Sequence, residues 1–133
     1  MKARMRTGFL MAGLLLIAAP AQAADEPRST YVTMMLQAFA AKVECPGTDV
    51  VYQDLLQKAQ QMHLPDDTTE KVRKAIAWMH TGGKMGEKQA DDLMTEVAIA
   101  TQTTDLDQRR AGSMTTWCQD QKTRLAGYIR SKE

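Results

Sequence analysis

The sequence predicts an all-α protein: a compact, up-and-down bundle of four to five helices stapled by one disulfide. Three observations lead there. Apolar residues recur at steps of three and four along most of the chain, and no stretch alternates with period two for long enough to suggest a strand. Prolines and glycines fall between the periodic stretches, where helices must end. The sole cysteines, Cys45 and Cys118, stand about 73 residues apart, behind a leader that sends the chain out of the cytoplasm.

The leader comes first. Lys2, Arg4 and Arg6 form a basic start, and Phe9 to Ala19 is an uninterrupted apolar run. That run matches the roughly 7–15 residues of a signal-peptide core and falls short of the roughly 20 of a membrane span. Pro20 breaks it, and Ala21-Gln22-Ala23 supplies the small residues a signal peptidase accepts, so cleavage is expected after Ala23. Removing 23 of the 133 residues leaves one domain of 110, with 14 basic against 16 acidic residues. A net charge of −2 gives no electrostatic case for nucleic acid or an anionic membrane, and no later stretch is apolar enough for stable membrane insertion. The expected location is the periplasm, or secretion beyond it.

Export makes the staple chemically reasonable, because disulfides persist in oxidising compartments. Closing a loop of about 73 residues is worth roughly 4 kcal/mol in the chain-entropy model. The core needs the help: aromatics are scarce, and the many methionines fill gaps well but specify packing poorly.

The elements follow in order. Ala24 to Arg28 reads as a short loose lead. Ser29 or Thr30 can cap a first helix to about Glu44, with Val32, Met35, Leu36, Phe39 and Val43 on one stripe. Pro46-Gly47 ends it. Thr48 or Asp49 can cap a second helix to about Met62, with Val51, Tyr52, Leu55, Ala59 and Met62 inward. Pro65 stops it, and Asp66 to Glu70 is a capping signal for a third helix to about His80, burying Val72, Ala75, Ile76 and Met79. Gly82-Gly83 provides the exit. A fourth helix starts near Gly86 or Glu87 and buries Ala90, Leu93, Met94 and Val97. Gln102-Thr103-Thr104 reads as a polar break, and Asp105 with Gln108 resembles a capping box. The last helix would run from Asp105 to about Arg130, some 39 Å at 1.5 Å per residue unless Gly112 interrupts it, and would serve as the central post. Its stripe is Met114, Trp117, Cys118, Gln121, Leu125, Tyr128 and Ile129.

No catalytic constellation emerges. Ser29, Ser113 and Ser131 lack a nucleophile-elbow setting, and there is no CxxC. Asp91-Asp92 are adjacent, so the two do not face each other on a helix and read as solvated surface. Gly82-Gly83-Lys84-Met85-Gly86 lacks the order of a phosphate loop and reads as a mobile turn suited to contact. No cofactor is called for. Met79, His80 and Met85 are the residues that could ligate copper, since imidazole and thioether suit Cu(I); the plainer account makes Met79 core and His80 a helix terminus. Trp78 lies about 100° off the apolar stripe of its helix and can either flank the core or anchor a partner.

In size, compartment and cysteine count the chain is similar to periplasmic acid-stress chaperones and to periplasmic immunity proteins that block cell-wall-degrading toxins. No motif links it to either, so no residue role carries over. The expectation is a non-enzymatic module that binds another protein in the periplasm, with Trp78, His80, Lys84 and Met85 as contact residues. An acid-stress holdase and a copper or small-ligand carrier are the alternatives. The oligomeric state stays open.

Overall fold

A helix at residues 26–44, α1, is the element that both halves of the core share in the computed structural model, which describes residues 26–131. The expected leader, its cleavage point and residues 24 and 25 lie outside the described residues. The remaining elements are β1 (Thr48–Val50), α2 (Tyr52–Gln61), α3 (Thr68–His80), α4 (Asp91–Ala111), α5 (Met114–Arg124) and β2 (Ile129–Ser131). The fold is thus an all-α bundle of five helices with a small two-stranded sheet and one disulfide, Cys45–Cys118.

α1 buries two faces. Tyr31, Val32, Met35 and Leu36 join Leu55 and Ala59 of α2, Val72, Ala75 and Ile76 of α3, and Leu93, Met94, Val97 and Ala100 of α4. Ala38, Ala41 and Cys45 form a second cluster with Trp117, Leu125 and Ile129. The post of the bundle is therefore α1 and not the last helix. It also starts before Ser29: residues 26–28 are already helical. Pro27 fits a first turn, where its missing N–H is no loss. Arg28 is tied to α4 through Asp92 at 3.0 Å and Glu96 at 2.7 Å.

The polar atoms in the core are matched. The Tyr31 hydroxyl donates to the Leu55 carbonyl at 2.9 Å and meets the Thr69 hydroxyl at 2.6 Å. With its oxygen turned toward them, the buried Gln121 amide accepts from the Trp117 indole N–H and from Arg124, each at 3.2 Å. The expected stripe on the last helix is kept at Trp117, Gln121, Leu125 and Ile129, whereas Met114 is 39% exposed.

Several boundaries differ from expectation. Thr48 and Asp49 belong to β1, and Val51 precedes α2, leaving Tyr52 37% exposed at its start. α2 closes in a Schellman turn: Leu64 N–H donates to the Ala59 carbonyl and His63 N–H to that of Gln60, with His63 at φ 58°. α4 begins at Asp91 and runs unbroken through Gln102-Thr103-Thr104 and Asp105. Threonine hydroxyls there turn back to carbonyls four residues earlier: Thr101 to Val97, Thr103 to Ile99, Thr104 to Ala100. A side chain satisfied in this way does not compete with the helix. The interruption falls at Gly112 instead, left-handed at φ 82°, after which the Ser113 hydroxyl caps α5 by accepting from Thr116 N–H at 3.1 Å.

After Arg124 the chain leaves the helix, and β2 pairs antiparallel with β1, Thr48 opposite Ser131 and Val50 opposite Ile129. Strands of three residues are too short to show a period, which is why the sequence does not announce them.

Short turns lead one to expect neighbouring helices that alternate in direction. α1, α3 and α4 instead run the same way. Arg28 meets Asp92 and Glu96 near the start of α4, while Gln37 reaches Asp107 further on at 3.2 Å. Tyr31 meets Thr69 at the start of α3, and His80 at its end approaches Thr101. The connection at 81–90 makes this possible by doubling back along α3, where Glu87 N–H donates to the Lys74 carbonyl.

Candidate functional site

That returning connection carries the contact residues expected from sequence. The Thr81 hydroxyl donates to the Ala77 carbonyl at 2.7 Å and accepts from Met85 N–H at 2.9 Å. Gly83 N–H donates to the Trp78 carbonyl at 2.8 Å, and Lys74 pairs with Glu87 at 3.4 Å. The glycine-rich run is thus bonded to α3 and is not a loose turn. It roofs Trp78, which packs against the main core with Lys88 Nζ 5.7 Å from its ring centroid. Trp78 is a flank residue. Lys84 is exposed, and Met85 is 64% exposed.

The three possible copper ligands go separate ways. Met79 packs on the core, His80 sits on the surface 3.4 Å from Thr101 Oγ1, and Met85 extends into solvent. Among the described residues no three His, Cys, Asp or Glu side chains gather as a metal site.

The structure adds a site that the sequence reading did not contain. A groove of about 470 Å³ runs between α1, α3 and α4. Its floor is Leu36, Phe39, Ala40, Ile76 and the buried Thr104; its rim is Val43, Glu44, His80, Thr101, Asp105 and Gln108. The lining repeats at helical spacing on both walls: 36, 39, 40 and 43 on α1, and 101, 104, 105 and 108 on α4. Val43, expected in the core, is 80% exposed. α3 stops at His80 and its chain turns back, so the apolar stripe of α1 outruns the helix that covers it. The signal in the sequence was that stripe continuing to Val43 while the third helix ended at Gly82-Gly83.

The rim is acidic. The Glu44 and Asp105 carboxylates have no hydrogen-bond or ion-pair partner among the described residues, and no Lys or Arg lines the groove. Thr101 Oγ1 donates to the Val97 carbonyl at 2.9 Å and lies 3.4 Å from His80 Nε2. A second depression, about 530 Å³, lies between the first turns of α1 and Tyr128, but its Arg124 is engaged by Gln37 at 3.3 Å and Asp107 at 3.7 Å.

No protein-family model matches this chain, and no curated protein or solved structure matches it either. Among the described residues no helix is long and apolar enough to cross a membrane.

Several carboxylates elsewhere are paired with cations, with a consequence for acid behaviour. The Arg73 guanidinium, joined by the Tyr52 hydroxyl, holds the Glu70 carboxyl at about 2, against an ordinary 4.5. Lys71 lowers Asp67, and Arg28 lowers Asp92. A carboxyl depressed in the folded state stabilises fully above its unfolded pKa and loses that contribution as pH falls through the folded one. For Glu70 the window is pH 4.5 down to 2. Urea midpoints are expected to fall across that window, and Glu70→Gln should flatten the fall. An identical pH profile in that variant would assign the loss to other groups.

Proposed function

We propose that this protein is an exported, non-catalytic protein-binding module of inhibitor or immunity type, engaging a partner in the periplasm. One observation carries the reading: an apolar-floored groove bounded by the uncovered end of the α1 stripe, with Val43 80% exposed. Apolar surface left open at a concave site favours association, because covering it removes that area from water. His80 stands at the groove's edge, and Met85 lies just beyond it in the turn bonded to Thr81, so two of the expected contact residues belong to the same end of α3.

The test is photo-crosslinking in the native cell. A benzophenone amino acid at Val43 or at Met85 is expected to give adducts of one common mass. The same group at Gln53 on α2, which does not line the groove, should give none. Adducts absent at both groove positions, or equal at Gln53, would sink the reading.

The acid-holdase alternative has its own support in the depressed carboxyls of Asp67, Glu70 and Asp92, which hold contacts that acid releases. Dye binding and suppression of client aggregation between pH 2 and 4 separate it from the first reading; neither appearing would remove it.

A further inference from the structure

Resting on that reading, we infer that the groove takes an apolar side chain from a partner segment that also carries lysine or arginine, whose charge is met by Glu44 and Asp105. The apolar half of the argument is the floor. Leu36, Phe39, Ala40 and Ile76 offer no polar side-chain atom, and the hydroxyl of the buried Thr104 is already bonded to the Ala100 carbonyl at 2.9 Å, so an inserted group gains burial at little desolvation cost on this side.

The charged half comes from the direction of the helices. α1 ends at residue 44 and α3 at His80, both beside the groove, so two helix C-termini converge there. Each end carries the partial negative charge of its helix dipole, reduced at α3 where Thr81 and Gly83 bond the Ala77 and Trp78 carbonyls. Two carboxylates add to that field, one on α1 and one on α4. Asp67, Glu70, Glu87 and Glu96 are each matched by a cation; the Glu44 and Asp105 carboxylates are among several that meet none among the described residues, and they are the two that line the groove. The cations nearest in sequence do not compensate. Lys42 is directed to Asp49 at 3.6 Å on the strand side, and Lys84 does not line the groove. His80 on the rim lies against Thr101, its Nε2 3.4 Å from Thr101 Oγ1. An acidic or purely apolar segment leaves this field unanswered, whereas a basic amphipathic one answers it.

The test uses two short fluorescein-labelled amphipathic helical peptides of matched length, one built from leucine and lysine, the other from leucine and glutamate. Anisotropy titration against the full mature chain is expected to show saturable binding of the Leu/Lys peptide alone. Glu44→Lys with Asp105→Lys, both on exposed residues, should weaken it about tenfold or more, as reversing two rim charges does. Ala40→Trp, which fills the floor, should abolish it at unchanged ionic strength. No saturable Leu/Lys binding, equal binding of the Leu/Glu peptide, or indifference to both variants would overturn the inference. The crosslinking readout separates this outcome from failure of the broader reading: adducts at Val43 that persist in the Glu44→Lys/Asp105→Lys protein keep a protein partner and remove the basic one.

Discussion

Replacing Cys45 and Cys118 together by alanine is expected to lower the unfolding free energy by roughly 4 kcal/mol. The bridge joins the end of α1 to α5 across 73 residues, with α2, α3 and α4 inside the loop. In the unfolded chain that crosslink forbids most separations of its ends, and removing it returns the lost freedom. A native contribution adds to this, since Cys45 is buried in the cluster holding Trp117, Leu125 and Ile129. The measurement is guanidinium unfolding of the oxidised protein and the double variant, compared at the same slope. A loss below about 1 kcal/mol would show that pairing of β1 with β2 already holds the ends together.

Gly86→Ala is expected to cost about 3 kcal/mol, combining left-handed strain with overpacking. Gly86 sits at φ 72°, and a Cβ there would lie 2.3 Å from the Lys74 carbonyl oxygen and 2.7 Å from Trp78 N. Both are helix backbone, which has little room to yield, so the connection would have to lift from α3 and uncover Trp78. Gly82→Ala is the control. Its φ is 63° with open space around the added carbon, so only the conformational penalty of about 1 kcal/mol applies. Trp78 emission should shift red in the first variant and not in the second. Equal losses would mean that the 81–90 segment does not rest on α3 as described.

The class of fold was legible because helical spacing and helix-stopping residues agree along most of the chain. Val72, Ala75 and Ile76 are buried as their three- and four-residue steps require, and the two cysteines left one internal pairing. What was hidden depends on partners remote in sequence. Nothing local marks Thr48 to Val50 as a strand, because its mate is at the far end of the chain. The run Gln102-Thr103-Thr104 looked like a break because its hydroxyls could serve a turn as well as a helix; burial of Thr104 between neighbours settled the matter. Val43 shows the same limit at the site. Its spacing says that it faces where Leu36 faces, which is correct, but spacing alone does not say where the covering helix stops.

The pairing of β1 with β2 has a consequence for how the molecule is made. β1 precedes α2 to α5 in the chain and its mate follows them, so the sheet and the cluster around Trp117 wait until α5 and β2 have been made. Until then only the cluster shared by α1 to α4 can gather.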